Sequence, residues 1–228
     1  MIGVTEQLRS TRQRIHRAVL SAGRADGSVR LLAVGKRQPV GKVREAAAAG
    51  QRDFGENIVA EALEKQAALA DDRLIWHFIG TLQSNKTRDV AAAFDWVHTV
   101  DRQKLVRRLS AQRPHHAPPL NVCIQINIDA EATKSGAPVT AARELAEAVA
   151  EAPRLALRGL MCLPRPRLTA AEQRVPFRRL HRLFDELNAA GFGLDTLSMG
   201  MSGDLEAAIA EGSTLVRVGT AIFGPREP

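Results

Sequence analysis

Apolar positions along this chain fall into two alternating rhythms. Over residues 5–22, Leu8, Ile15 and Val19 recur at helical spacing among arginines, which predicts an amphipathic helix at the start. After Gly27 the run Leu31-Leu32-Ala33-Val34-Gly35 is short and continuously apolar, as in a strand buried on both faces, and it ends by delivering Lys36. Pro39 then suits the first turn of a helix over 39–49, closed by Gly50. Strand-like runs recur at 52–56, 74–80, 96–100, 121–128, 157–163, 196–201 and 215–219. Helical patterns lie between them, such as the stripe Phe177, Leu180, Phe184, Leu187 and the pair Leu205, Ile209 before Gly212. Eight strands, nearly all separated by helices, predict an α/β fold: a single (β/α)8 TIM-type barrel with an extra N-terminal helix, one domain over 1–228. A doubly wound open sheet is the alternative. The Pro-rich segment 114–119 then falls on the amino-terminal face, and 164–168 hangs over the barrel mouth.

Composition narrows the class. With 228 residues and 45% hydrophobic content the chain can bury one large core, and nothing in it reads as disordered. Cys123 and Cys162 both sit inside apolar strand-like runs, which suits buried free thiols and a reducing compartment. Residues 1–15 lack the apolar core of a signal peptide, and no run approaches the ~18 apolar residues of a membrane span. The expectation is a soluble cytoplasmic protein with no membrane partner. The net charge of +7 raises nucleic acid as a partner, but most of the arginines are scattered among glutamates and alanines as on solvated helix faces. Without an arginine-rich arm or aromatic-interleaved patch, no nucleic-acid partner is expected.

In a barrel the residues just after each strand share one rim, and the unusual residues of this chain gather there. Lys36 follows the first strand and Asn57 the second. The third contributes His77, which on its own reads as a core histidine, and a polar run through Gln83 and Lys86. The seventh gives Ser198-Met199-Gly200-Met201-Ser202-Gly203-Asp204, and the eighth Arg217-Val218-Gly219-Thr220. Glycines that let backbone N–H groups approach an anion, together with Ser and Thr hydroxyls, point to a phosphate site. It is placed mainly on Gly219 and Thr220, with Ser202 and Ser198 assisting, because Asp204 competes for the donors of its own loop. A lysine at a strand end of the same rim is a Schiff-base or anion-binding candidate.

Taken together, Val34-Gly35-Lys36, Phe54-Gly55-Glu56-Asn57, Trp76-His77-Phe78-Ile79-Gly80, Lys134-Ser135-Gly136, Gly159-Leu160-Met161, Ser198-Met199-Gly200-Met201-Ser202 and Arg217-Val218-Gly219-Thr220-Ala221-Ile222-Phe223-Gly224 resemble the pyridoxal phosphate homeostasis protein family. The resemblance runs in order from about Leu31 to Gly224. It implies a barrel like the N-terminal domain of alanine racemase, a role in vitamin B6 homeostasis, and no established catalytic reaction. It also implies pyridoxal 5′-phosphate (PLP) on Lys36 as a Schiff base, Arg217 facing the pyridine nitrogen, Ser202, Gly219 and Thr220 on the phosphate, and Asn57 and His77 lining the pocket. PLP-dependent apoenzymes are the implied recipients, and a monomer is the expectation. The chain departs from the family at Gln38, where many members carry a second lysine, and at Gly35, where serine is common. A PLP-dependent racemase or lyase is the competing reading. The chain contains no tyrosine, so a lysine–tyrosine two-base racemase is excluded unless another residue such as His77 supplies the second base.

Overall fold

The computed structural model describes residues 3–71 and 73–225. Its eight parallel strands close into one barrel in sequence order, β1 (Arg30–Val34), β2 (Asp53–Glu56), β3 (Ile75–Phe78), β4 (Trp96–Val100), β5 (Leu120–Ile126), β6 (Leu155–Cys162), β7 (Thr196–Ser198) and β8 (Leu215–Val218). Pairing of Arg30 to Ala33 with Leu215 to Val218 completes the ring, and closure leaves no strand edge open. The barrel expectation holds and the open sheet is excluded.

The connecting helices are α2 (Val40–Ala48), α3 (Val59–Leu69), α4 (Thr87–Ala93), α5 (Gln103–Gln112), α6 (Ala142–Ala150), α7 (Ala170–Ala189) and α8 (Leu205–Ala210). They are preceded by α1 (Val4–Ser21) and followed by the single turn α9 (Thr220–Phe223). Because α9 is too short to cover its strand, α1 packs across α2, α8 and α9 and completes the outer layer. It does so by burying Leu8, Ile15 and Val19, the three positions that define its stripe in the sequence. Helix α7 starts at a capping box, Thr169 accepting from the Glu172 N–H while Glu172 reaches back to the Thr169 N–H.

Several strands are shorter than their apolar runs. β7 stops at Ser198 because Gly200 turns the chain with φ +96, a left-handed value open to glycine, and a Cβ there would stand 2.6 Å from that of Ala208.

Strand parity divides the core into two unlike parts. Outward residues such as Leu31, Ala33, Phe54, Trp76, Val97, Leu160, Leu197 and Val216 join the helices in one apolar cluster. Inside the barrel, apolar Leu32, Val34, Leu215, Trp96, Cys123 and Met161 share the space with a line of polar residues, Asp53, His77, His98, Gln125, Ser198 and Arg217. Branched aliphatic side chains fill most barrels of this type, so a polar interior is the first structural sign of specialised chemistry. Both cysteines are buried and free, and burial pushes each thiol up to about 12, which makes them inert packing residues.

Candidate functional site

A cavity of about 260 Å³ opens at the carboxyl ends of the strands. Its polar lining is Lys36, Gln38, Ser202, Arg217 and Thr220, with Gly203 and Gly219; Val34, Ile79, Met161, Leu163 and Met201 form apolar walls. Five of the residues singled out in the sequence, Lys36, Ser202, Arg217, Gly219 and Thr220, therefore meet around one space.

Lys36 stands on a turn held from behind. The Lys65 ammonium, on α3, donates to the Gly35 carbonyl at 2.7 Å, to Glu56 Oε1 at 2.8 Å and to Glu61 Oε1 at 2.6 Å. Glu61 also accepts the Arg37 N–H at 2.5 Å, fixing a non-glycine residue at φ +55. One Lys–Glu–Glu cluster thus clamps the backbone on both sides of Lys36. A Cβ on Gly35 would lie 2.7 Å from Glu56 Oε1, so glycine here makes room for the buried carboxylate.

Burial pushes the Glu56 carboxyl up to about 7 despite the Lys65 ammonium against it, and its Oε2 is buried with no hydrogen-bond partner. Between its ordinary value of 4.5 and about 7 the folded protein keeps a proton on Glu56 that the unfolded chain has released. Stability therefore falls as pH rises through that window, and Glu56→Gln is expected to flatten the fall. Thermal midpoints of the two proteins from pH 4 to 8 check this; an unchanged slope in the variant would assign it to another group.

Gln38 faces the cavity and accepts from Lys42 Nζ at 3.0 Å. Lys42 also reaches the Phe223 carbonyl, and Gln38 Nε2 donates to the Gly224 carbonyl, so the pair ties α2 to the end of α9.

The Met201–Asp204 loop is tied down independently of any ligand. Asp204 accepts the Met201 N–H at 2.6 Å, and burial raises its carboxyl. The Ser202 carbonyl accepts from Arg14 of α1 at 2.8 Å. The competition expected from Asp204 thus takes up the Met201 N–H and its own N–H. On the opposite side, the Thr220 and Ala221 N–H groups begin a helical turn and have no intrahelical acceptor.

Arg217 is 4% exposed. It donates through NH1 to the Ser198 carbonyl at 2.5 Å and hydroxyl at 2.8 Å, and through NH2 to the Cys162 carbonyl at 2.9 Å. Three of its five N–H donors are used in this way, which leaves donors for the cavity it lines. Burial lowers its pKa, but a guanidinium remains a cation and a donor.

Three expected site residues lie elsewhere. Ser198 is fully buried, and its hydroxyl is held between Arg217 and His98 rather than presented to the cavity. His77 is also fully buried, stacked on Trp96 with ring centres 5.3 Å apart and bonded to His98 and Asp53; it lies within the barrel and not on the cavity wall. Asn57 is half-buried, and its backbone approaches so closely that a Cβ on Gly80 would meet the Asn57 carbonyl at 2.3 Å. Its Oδ1 is a buried acceptor without a partner. The sequence reading missed Asp53 and His98, as well as the apolar walls. Their signal is parity: in β2 and β4 each sits opposite in phase to the residues that face the helices.

The floor is closed. Two arginines approach the Trp96 ring, Arg30 at 4.9 Å and Arg158 at 5.1 Å from its centre. Each arginine is paired in turn, Arg30 with Asp53 at 3.6 Å and Arg158 with Asp195.

The alanine racemase N-terminal domain model matches residues 11–227. The chain is 56% identical over 227 residues to a pyridoxal phosphate homeostasis protein of Pseudomonas aeruginosa, covering 100% of this chain and 97% of that protein. The identity to the protein of that name from Escherichia coli K12 is 49% over 230 residues, covering 100% and 98%. Among solved structures, PipY of Synechococcus elongatus PCC7942 with PLP bound superposes with a TM-score of 0.85 at 38% identity, covering 97% of this chain and 100% of that one.

Proposed function

The chain belongs to the pyridoxal phosphate homeostasis protein family, built on the alanine racemase N-terminal domain, and from that footing we propose that it binds PLP, retains it through Lys36 and passes it to apoenzymes that require it. The observation that carries this reading is the convergence on one cavity of an amine, a buried guanidinium and a group of hydroxyl and backbone N–H donors. Those are the partners that an aldehyde, a pyridine nitrogen and a phosphate need. Bound PLP supplies a carbonyl that condenses reversibly with an amine.

Lys36 provides that amine from a turn clamped on both sides, which fixes its reach. Thr220, Gly219 and Ser202 hold the phosphate, and the apolar walls of Val34, Ile79 and Met161 exclude water from the ring. The PipY relative whose structure holds PLP supports binding of the same cofactor by this chain.

Arg217 faces the ring nitrogen. As a donor that does not give up its proton, it hydrogen-bonds the nitrogen while leaving it unprotonated, which weakens the ring as an electron sink. Retention is thereby favoured over carbanion chemistry, and this supports a carrier in place of a racemase or lyase. The site of action is the cytoplasm; among the described residues no helix is long and apolar enough to cross a membrane.

The test is a visible spectrum of the protein with PLP, followed by borohydride reduction and mass-spectrometric mapping. The expected result is a new absorption band, one adduct on Lys36, little turnover of amino acids, and recovery of activity when the loaded protein is mixed with an apoenzyme. Adducts spread over surface lysines would overturn the site, and saturable amino-acid turnover would favour the enzyme reading.

A further inference from the structure

Five polar side chains cross the barrel interior in an unbroken line. Arg217 NH1 lies 2.8 Å from Ser198 Oγ, Ser198 Oγ 2.8 Å from His98 Nδ1, His98 Nε2 2.9 Å from His77 Nδ1, and His77 Nε2 3.1 Å from Asp53 Oδ1. The line begins at the cavity and ends at the closed floor, where Asp53 also meets Arg30.

The chemistry of its two ends fixes every proton. A guanidinium only donates, so Ser198 Oγ accepts from Arg217, and its own hydrogen points to His98 Nδ1. His98 then carries its proton on Nε2 and donates to His77 Nδ1. His77 likewise carries its proton on Nε2 and donates to Asp53, which as a carboxylate only accepts. Reversal would aim a lone pair of His77 at the Asp53 carboxylate and a second N–H at the Ser198 oxygen. Complete burial disfavours the charged form of both histidines, which keeps them in the neutral state this order requires.

We propose that Asp53, His77, His98 and Ser198 form a one-directional hydrogen-bonded column that positions Arg217 for the cofactor from the opposite end of the barrel. The proposal rests on the PLP reading for its purpose and on the column for its substance. Among the described residues no carboxylate forms an ion pair with the buried Arg217; Asp204, tied to its own loop, acts on it only at longer range. The column connects it instead to the anion at the floor. Each bond polarises the next, so the Ser198 oxygen is a stronger acceptor than an isolated hydroxyl, and the guanidinium plane is held toward the cavity. Asp53, His77 and His98 are positioning residues, since none of them lines the cavity.

The first arm of the test reads histidine tautomers by side-chain ¹⁵N NMR in protein free of PLP. Both His77 and His98 are expected as neutral Nε2–H forms; a proton on His98 Nδ1 would overturn the column. The second arm titrates PLP into wild type, Asp53→Asn, Ser198→Ala and Asp195→Asn. Removing the column's charge at the floor (Asp53→Asn) or its hydroxyl beside Arg217 (Ser198→Ala) is expected to weaken binding about 5-fold, the scale of one hydrogen bond, and to shift the visible band. Asp195→Asn removes a floor carboxylate that is outside the column, and is expected to change neither. Equal effects in all three variants, or none in the first two, would overturn the positioning role. Should Asp53→Asn fail to fold, Ser198→Ala decides the matter. If wild type does not take up PLP, the cofactor reading fails and the column loses its purpose while the tautomers stay as expected, so the two failures are told apart.

Discussion

Replacing Lys36 by alanine is expected to reduce the borohydride-stable PLP adduct from near one per chain to none, with the fold intact. Lys36 is only half-buried, and the strand behind it is secured by pairing with β2 and β8 and by the Lys65 clamp on Gly35. Loss of its amine therefore removes the covalent attachment without removing a core contact. Weak, rapidly exchanging PLP should persist through Arg217 and the Gly219-Thr220 donors, visible as a band with the position of free PLP. Mapping the reduced protein by mass spectrometry, with circular dichroism and a thermal midpoint alongside, checks this. A single adduct on another lysine would move the anchor, and global unfolding would make Lys36 structural.

Lys65→Met is expected to give the largest stability loss. The Lys65 side chain is 5% exposed and faces Glu56, which is fully buried, and Glu61. Removing the cation leaves a buried carboxylate without compensation, a change that costs about 3–5 kcal/mol. For a chain of this size that corresponds to a fall in thermal midpoint on the order of 10 °C. The loss should be smaller at pH 5, where Glu56 holds its proton, than at pH 8, because its carboxyl titrates near 7 in the folded protein. Adding Glu56→Leu should recover part of the stability, since a well-packed apolar pair needs no counter-charge. Midpoints of the single and double variants at the two pH values would settle the point. A drop under about 1 kcal/mol in Lys65→Met would show that the cluster contributes little.

Much of the fold was legible because strand and helix periods differ and the chain keeps them apart. Leu8, Ile15 and Val19 marked α1, and the apolar run before Lys36 marked β1. Strand ends were less legible. The 196–201 run reads as one strand, yet the left-handed Gly200 stops the ladder after Ser198. At the site, Lys36, Arg217 and Thr220 were recognisable because polar residues after apolar runs stand out on a rim.

His77 and Ser198 drew attention for the same reason, and the structure gives them a different place. Each is the inward residue of a strand, so its partner comes from a neighbouring strand and not from the rim. Asp53 and His98 escaped notice because a polar residue within an alternating run looks like a solvent-facing position. Only closure of the barrel turns that face into an interior. Lys65 was hidden likewise, a lysine on a helix whose partners Glu56 and Gly35 belong to elements earlier in the chain.

Trp96 at the floor, with Arg30 and Arg158 against its ring, has a consequence for traffic. With Trp96, Cys123 and Met161 filling the space beneath it, the cavity is a cup with one door. Whatever enters past the loops after β6 and β7 must leave by the same route. Under the proposed carrier role, loading and unloading would be mutually exclusive events at a shared rim, and a recipient would have to engage that rim to take the cofactor.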